Sequence, residues 1–396
     1  MADVVSNAST YDPINILENI ISIPSDTPRS KEARIAEYIC ELLKKLNVRH
    51  EVFSLEEGRP NVIAVLGGDN VFGDKDALIF NGHIDTKPAG DGWKTDPFKP
   101  HRWDDKIYGL GACDTKASIA AFLATIAEVR KEKMLRPVVF QFVADEEMNS
   151  AFGTKFLVSK FDICGAFAIV GEPTDMTIVK RSLGNAWKTV NIVGVKSHAG
   201  CHTNGVNAIH VASEIICAFR RTVIKEANDA FFPEFPNVNV GKICGGEHPG
   251  SVPDQCSFTL DLRFQDEKYR NELVRGLTST VKTICDNFGA TCSIEDYEGT
   301  GMLAWDIEHH KNFSNKFGIL EQSFLEVCGN TAAFSSFLGG SDAGHLSEVC
   351  HIPTVIFGPG SLKQAHRPNE FVPINEVYRA ARVYQTMASK WGNLSR

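Results

Sequence analysis

The chain has 396 residues, of which 43% are hydrophobic and 23% are charged, and its net charge at pH 7 is −8. These values are typical of a globular protein long enough for two domains, and they argue against a nucleic-acid-binding protein, which normally carries a basic excess. The eleven cysteines form no C-x-x-C pair, which predicts buried, reduced thiols in a cytoplasmic protein rather than a disulfide framework or a zinc ribbon.

The N-terminal segment MADVVSNASTYDP lacks the basic and apolar parts of a signal peptide, and no apolar run reaches the ~20 residues of a membrane span. Helices and buried strands then alternate. Helices are predicted in DPINILENIISI, Ser30–Asn47, KASIAAFLATIAEVRKE and AFGTKFLVSKF, and strands in NVIAVLG, DALIFNGHIDT, RPVVFQFVADEE and GAFAIVGEPT. Continuously apolar strands that alternate with helices predict an α/β fold, with a mostly parallel sheet flanked by helices.

Near Ser182 the strands change from continuously apolar to alternating. Strands are predicted in NAWKTVNIVGV, VNVGKICGG, QCSFTLDLRF and ATCSIEDYE, and helices in VNAIHVASEIICAFRRTV and EKYRNELVRGLTSTVKTICDNF. This βαββαβ order predicts a two-layer domain inserted at residues 183–296. Segments of the first type then resume in NKFGILEQSFLEVCG, IPTVIFGPG and INEVYRAARVYQTMASKW, so residues 1–182 and 297–396 are predicted to form one larger domain.

The stretch IYGLGACDTK resembles the start of a dinucleotide-binding loop, because its two glycines are two positions apart before a helix. Asp114, however, stands where that loop requires a third glycine. A nucleotide-dependent oxidoreductase is therefore one hypothesis, and it predicts that NAD protects the protein against unfolding. Asp114 also suits the N-cap of the helix that begins near Lys116.

Acids and histidines recur just past the buried strands or in the loops that follow them. They are His83 and Asp85 in GHIDT, Glu146 and Glu147 in ADEE, Glu172 in IVGEPT and His366 in the loop after TVIF. Each has an ordinary structural explanation by itself, such as a solvated turn. Ligands of open α/β sheets bind beyond the carboxyl ends of the strands, and a buried group of carboxylates there requires cations.

Two divalent metal ions would neutralise this cluster. One site would take His83, Glu172 and Asp114, and the other Glu147, His366 and Asp114, whose carboxylate has an oxygen for each ion. Imidazole and carboxylate ligands suit zinc, and also cobalt or manganese. Glu146 would remain as a general acid/base, and Asp85 would orient His83.

Ordered blocks run from about residue 80 to 372, and they are GHIDT, DGWKTDPFKP, DDKIYGLGACDTK, ADEE, IVGEPT, GVKSHAG, NGVNAI, DLRF and GPGSLKQAHRPNEFV. They resemble the co-catalytic dizinc metallopeptidase family that includes acetylornithine deacetylase, succinyl-diaminopimelate desuccinylase, the aminoacylases and a glutamate carboxypeptidase. The resemblance implies the same five metal ligands, Glu146 as general acid/base, Asp85 as support for His83, and a cis peptide bond at Asp114–Thr115.

The resemblance also implies roles for the inserted domain, which would be a lid and dimerisation domain. His198 would reach the partner subunit's site and stabilise an oxyanion there. Arg263 and Asn239 would bind the substrate carboxylate or the intermediate. Gly358 and Gly360 in GPGS would let the backbone approach the substrate.

Within the family, YGLGACDTK, FPEFPNVNVGKICGGEHP and FGPGSLKQAH resemble the acetylornithine deacetylase branch most. Gly344 stands where several relatives carry a basic residue, which favours a small acyl group over succinyl. The expected protein is a cytoplasmic, homodimeric deacetylase of amino-acid biosynthesis that binds neither nucleic acid nor membrane. The alternatives are a succinyl-diaminopimelate desuccinylase, an N-acetylcitrulline deacetylase or other aminoacylase, a dipeptidase or carboxypeptidase, and a family member that only binds metal.

Overall fold

The computed structural model describes residues 11–27, 31–223, 232, 236–297 and 301–395. The first ten residues, Ser30, residues 233–235 of the FPEFPNVNV block and Glu298 at the end of a predicted strand lie outside the described residues. The chain forms two compact units. Unit 2 consists of Ser182–Trp305 and Leu338–Gly340, and unit 1 contains the described residues before and after them, including Asp306–Phe337.

The helices are α1 (Pro13–Ile21), α2 (Ala33–Lys45), α3 (Lys116–Val129), α4 (Thr154–Lys160), α5 (Ala208–Val223), α6 (Glu267–Phe288), α7 (Ser314–Cys328) and α8 (Ile374–Gly392). The strands up to the inserted unit are β1 (Arg49–Ser54), β2 (Pro60–Leu66), β3 (Leu78–His83), β4 (His101–Trp103), β5 (Lys106–Tyr108), β6 (Val138–Val143), β7 (Phe167–Val170) and β8 (Ile178–Ser182). The later strands are β9 (Gly184–Val193), β10 (Ser197–His198), β11 (Asn237–Gly245), β12 (Ser251–Val252), β13 (Gln255–Phe264), β14 (Thr291–Asp296), β15 (Trp305–Asp306), β16 (Phe334–Phe337), β17 (Thr354–Ile356) and β18 (Phe371–Pro373).

Unit 1 is built on a sheet whose described strands have the order β1-β2-β6-β3-β7-β17-β8-β15, with β16 paired to β8. The middle strands β6, β3, β7 and β17 are parallel, and every residue in them is buried. Burial on both faces explains why these strands are continuously apolar in sequence. Helix α3 is buried along nearly its whole length and packs against α1 and α8.

Unit 2 has the chain order β9-α5-β11-β13-α6-β14, apart from short bridging strands. Its sheet has the strand order β11-β13-β9-β14 with antiparallel pairs, and α5 and α6 pack on it. Strand β13 alternates between buried and half-buried residues, as expected when one face covers a core and the other does not.

The predicted fold class is confirmed: a mostly parallel sheet flanked by helices is combined with a two-layer βαββαβ unit. Four local features differ from the expectations. Helix α2 begins at Ala33, and the exposed strand β1 and the short hairpin β4–β5 were not predicted. Asp114 is not a helix cap, because the N-cap residue of α3 is Thr115 and no side chain caps that end. The eleven cysteines are free thiols, as predicted, but the expectation that they are buried is wrong for most of them, since only Cys113, Cys256 and Cys285 are buried.

Candidate metal centre

The carboxyl ends of four parallel strands in unit 1 meet at one edge of the sheet. Strand β3 ends at His83, whose register partner on β6 is Val143, just before the turn that contains Glu146 and Glu147. Strand β7 leads into Glu172, and the loop after β17 carries His366. The fold therefore brings together side chains that are up to 283 positions apart, from His83 to His366.

Asp114 lies between the two histidines. Its Oδ1 atom is 3.2 Å from His83 Nε2, and its Oδ2 atom is 3.3 Å from His366 Nε2. The Nε2 atom of His366 also lies 3.0 Å from both carboxylate oxygens of Glu147. On the other side, Glu172 Oε1 is 3.9 Å from His83 Nε2. The peptide bond between Asp114 and Thr115 is cis, as predicted.

Within the described part of the chain, two groups of ligand atoms are close enough to hold a metal ion. The group of His83, Asp114 and Glu147 and the group of His83, Glu146 and Glu172 each have one atom per residue within 4.8 Å of the others. Glu146 Oε2 lies 4.0 Å from His83 Nε2, so this glutamate is at the site itself rather than at its margin.

The cluster has an excess of acid and is largely buried, except at His366, whose side chain is 48% exposed. Although burial lowers it, contacts with Asp114 raise the pKa of both histidines, for His83 well above its usual range and for His366 to about 10. Burial raises the pKa of Glu146, and the nearby Glu172 raises it further. Burial also raises the pKa of Glu172. The carboxylates of this site therefore favour cationic partners, such as protonated imidazoles or metal ions.

A pair of divalent cations suits these residues. Four carboxylates and two imidazoles converge, which is the donor set of zinc and similar ions, and Glu172 Oε1 has no hydrogen-bond partner among the described residues. A buried carboxylate oxygen without a partner is unfavourable, and a cation would satisfy it.

Asp85 contacts both His83 and the turn that carries Glu146 and Glu147. The Nδ1 atom of His83 lies 2.9 Å from the carbonyl oxygen of Asp85 and 3.5 Å from its carboxylate. The carboxylate oxygens accept the backbone N–H groups of Glu146 at 3.1 Å and of Glu147 at 3.2 Å. With His83 Nδ1 turned toward Asp85, Nε2 faces the cluster.

Gly358 and Gly360 are held by other parts of unit 1. The N–H of Gly358 donates to Thr174 Oγ1 at 3.2 Å, and the N–H of Gly360 donates to Glu376 Oε2 at 2.8 Å. A Cβ at Gly358 would lie 2.6 Å from the carbonyl oxygen of Glu172, so only glycine fits there. Close packing accounts for both glycines, and their contact with substrate stays a prediction.

Three predicted residues belong to unit 2. His198 is exposed, and its Nδ1 accepts the N–H of Gly200 at 3.1 Å. Asn239 is exposed on β11 opposite Asp261, and Arg263 Nε donates to Asp261 at 2.8 Å. Their roles toward substrate and intermediate stay predictions from the resemblance.

Several buried polar residues near the site were missed by sequence reasoning. Arg59 pairs with Glu32 at 2.6 Å and with Asp145, the residue before Glu146, at 2.8 Å. Glu370 accepts backbone N–H groups of the loop that carries Asp114. Asp342 accepts the hydroxyl of Ser150, and its pKa is raised to about 6 by burial. Arg59, Glu370 and Asp342 do not directly follow a buried strand, so the position that revealed the metal ligands does not mark these three residues.

The fold and this cluster together define a class of protein, the metal-dependent hydrolases. More narrowly, the chain belongs to peptidase family M20/M25/M40, whose model matches residues 79–390. Members of this family act on amide bonds, as two of the relatives below illustrate.

The chain is 29% identical to an acetylornithine deacetylase from Yersinia pseudotuberculosis over 318 residues, which cover 79% of this chain and 78% of the relative. A solved M20 family metallo-carboxypeptidase from Sulfolobus solfataricus has the same fold, with a TM-score of 0.77 at 19% identity, covering 97% of this chain and all of the other. A dinuclear metal binding M20 peptidase from Bacillus subtilis has a TM-score of 0.66 at 16% identity, covering 96% and 97% of the two chains. Among the described residues, no helix is long and apolar enough to cross a membrane.

Proposed function

We propose that the protein is a dinuclear metal-dependent amidohydrolase that removes an acyl group from the α-nitrogen of an amino acid, with N-acetylornithine as the favoured substrate. The observation that carries the proposal is the position of Asp114, which turns one carboxylate oxygen toward His83 and the other toward His366. A shared carboxylate between two histidines is suited to two ions, and the similarity to acetylornithine deacetylase supports the substrate class.

His83, Glu172 and Asp114 would hold one ion, and Glu147, His366 and Asp114 the other. Zinc is the favoured metal, with cobalt or manganese as alternatives. When bound, such ions would polarise the amide carbonyl and lower the pKa of water, so that a hydroxide nucleophile is available near neutral pH.

Glu146 would act as the general base and then as the general acid. Its carboxylate accepts a proton from water as the water oxygen attacks the amide carbon, and it gives that proton to the amine nitrogen as the C–N bond breaks. The products are a free carboxylate and an amino acid with a free amine. In the metal-free protein, burial and the neighbouring Glu172 raise the pKa of Glu146.

The acyl group is proposed to be small. Gly344, in the GGSDAGHL segment, offers no side chain that could hold a second carboxylate on the acyl group. Acetyl is therefore favoured over succinyl, and acetylcitrulline and other acetylamino acids are the nearest alternatives.

Unit 2 is proposed to be the lid and dimerisation domain, and His198, Asn239 and Arg263 would act from it. Its edge strand β11 is largely exposed, and Ile243 on that strand is 54% exposed. An exposed edge strand with an apolar side chain is suited to pairing with a second copy. Sedimentation equilibrium of the full chain tests the homodimer, and a monomer at micromolar concentration would contradict it.

The proposed function is tested by a substrate panel. N-acetyl and N-succinyl derivatives of ornithine, citrulline and other amino acids, succinyl-diaminopimelate and unmodified dipeptides are compared by kcat/KM with zinc or cobalt supplied. The expected result is that N-acetylornithine has the highest value. If a dipeptide with a free α-amine were the best substrate, the protein would be a peptidase and the deacylase assignment would be wrong.

A further inference from the structure

The loop Gly109–Asp114 binds a carboxylate that belongs to the chain itself. Glu370 Oε2 accepts the N–H of Gly111 at 2.9 Å, and Oε1 accepts the N–H groups of Cys113 at 2.7 Å and of Asp114 at 2.9 Å. The carbonyl oxygen of Glu370 accepts the N–H of Gly109 at 3.1 Å. Successive backbone N–H groups form a concave site for an anion, and here that anion is a side chain.

Glycine at position 111 is required for this arrangement. Its φ angle is +76°, in the left-handed region, and a Cβ there would lie 2.6 Å from a methyl carbon of Thr86. The two glycines that make the segment look like a nucleotide loop therefore serve an internal carboxylate. Glu370 is only 2% exposed, so an external phosphate has no access to these N–H groups.

Glu370 also belongs to the segment that carries His366, four residues earlier in the chain. Directly after Glu370, strand β18 pairs with β5, with Phe371 opposite Tyr108. The Glu370 side chain therefore joins the segment of Asp114 to the segment of His366. The neighbouring pair of strands β5 and β18 holds the same two segments together.

We propose that Glu370 is a positioning residue that sets the Asp114 carboxylate between His83 and His366. This inference rests on the proposed dinuclear site, and it concerns how that site is held rather than what it hydrolyses. Glu370 acts through the backbone N–H groups of Cys113 and Asp114.

The two metal sites depend on Glu370 unequally. The site of Asp114, Glu147 and His366 needs both segments that Glu370 joins, whereas the site of His83, Glu172 and Asp114 needs only one of them. Loss of the Glu370 carboxylate should therefore weaken the ion at His366 more than the ion at His83. A role in folding alone would not discriminate between the two ions.

The test is a metal titration of Glu370→Gln and Glu370→Asp beside the wild type. Glutamine keeps the shape but only one acceptor oxygen, and aspartate keeps the charge but falls short of the loop. Each protein is freed of metal by a chelator and titrated with Co²⁺, followed by calorimetry and visible absorption. In both variants one ion, that of Asp114, Glu147 and His366, is expected to lose about 10–100-fold in affinity, and the other ion less than about threefold.

Asp12→Asn is the matched control, because Asp12 also accepts backbone N–H groups, those of Ile14 and Asn15 at the start of α1, and it lies outside the metal site. This control is expected to bind both ions like the wild type. Thermal unfolding and circular dichroism check that each variant is folded. If Glu370→Gln does not fold, the metal affinities of Glu370→Asp decide the test.

Two results would overturn the inference: wild-type affinity for both ions in both Glu370 variants, or an equal loss at both ions. Failure of the proposed function looks different. A wild-type protein that binds only one ion would contradict the dinuclear proposal and this inference together. A wild-type protein that binds two ions but hydrolyses no acylamino acid would contradict only the proposed substrate.

Discussion

The carboxylate of Asp85 accepts the backbone N–H of Glu146 at 3.1 Å, so the residue that orders His83 also holds the turn that carries the proposed base. Its second oxygen accepts the N–H of Glu147 at 3.2 Å. Sequence reasoning predicted only the support of His83. The structure adds that a single buried carboxylate joins the ends of the parallel strands β3 and β6.

Asp85→Asn is expected to lower kcat by about 10–100-fold while the metal ions remain bound. Asparagine keeps one acceptor oxygen, but its NH2 group cannot accept the second backbone N–H, so the turn of Glu146 and Glu147 loses one of its two restraints. The measurement is kcat and KM at saturating zinc or cobalt, together with metal content. Asp74→Asn is the control, since Asp74 also accepts a backbone N–H, at 2.8 Å, away from the site. Equal kcat values in the two variants would contradict the role of Asp85.

Glu146→Gln is expected to lower kcat by at least about 10²–10⁴-fold, because an amide cannot take the proton of water. Both metal ions should remain bound, since Glu146 is not one of the five proposed ligands. Activity is measured on the best substrate of the panel, and metal content is measured on the same sample. Full activity in this variant would refute the mechanism, and loss of one ion would mean that Glu146, which lies 4.0 Å from His83 Nε2, is a ligand.

Metal affinity is expected to rise with pH. The nearby acids raise the pKa of His366 to about 10 in the metal-free protein, so this imidazole is protonated near neutral pH and must lose its proton to bind an ion. Each proton released makes the affinity about tenfold stronger per pH unit below that pKa. Co²⁺ titrations at pH 6.5, 7.0 and 7.5 measure the slope, and an affinity independent of pH would contradict this account.

Chelation is expected to abolish activity, and zinc or cobalt should restore it. Bound ions should also raise the temperature of unfolding, because a ligand that binds only the folded state stabilises it. NAD serves as the control, since the glycine loop would bind it if the protein were an oxidoreductase. Protection against unfolding by NAD, but not by metal, would support that alternative.

Arg59→Met is expected to destabilise the protein by about 3–5 kcal/mol, because it leaves two buried carboxylates without their cation. Glu32 and Asp145 are at most 1% exposed, and Arg59 contacts both. Burial already raises the pKa of Asp145 to about 7, while Arg59 opposes this. Chemical unfolding measures the loss. Arg102→Met is the matched control, because the Arg102–Glu18 pair is more exposed and should contribute about 1 kcal/mol or less. A similar loss in both variants would contradict the importance of the buried network.

The metal cluster could be predicted from sequence because its members follow recognisable strands. Residues such as His83 and Glu172 come at or just after continuously apolar segments, and parallel strands bring their carboxyl ends to one edge. Glu370 and Arg59 could not be predicted in this way. Glu370, for example, binds the N–H of Gly111, which is 259 positions away in the chain, and no local sequence pattern marks Glu370 or Arg59.

Asp114 shows where local propensity fails. An aspartate just before a helix is a favourable N-cap, and this was the alternative set beside the predicted metal ligand. In the structure both of its oxygens face histidines, and the first turn of α3 has no side-chain cap. The local preference gave way to the attraction between a buried carboxylate and two imidazoles, which only the fold brings together.

His345 is expected to make the protein less stable as pH falls from about 6.5 to about 4. Its side chain is 3% exposed, Nε2 has no hydrogen-bond partner among the described residues, and burial, with a smaller effect of Lys155, lowers its pKa to about 4. Between the two pKa values the unfolded state binds a proton that the folded state does not. The unfolded state is therefore favoured progressively, by up to about 3 kcal/mol at the acid end of this range.

The contribution of His345 can be isolated by comparing pH slopes rather than absolute stabilities. His345→Leu cannot bind a proton, so its free energy of unfolding should fall less than that of the wild type between pH 7 and pH 4.5, whatever its stability at pH 7. Urea unfolding at several pH values gives both slopes, and the exposed His101→Leu variant is the control. Parallel curves for the wild type and His345→Leu would show that this buried imidazole does not resist protonation, because the remaining acids and histidines are common to both proteins.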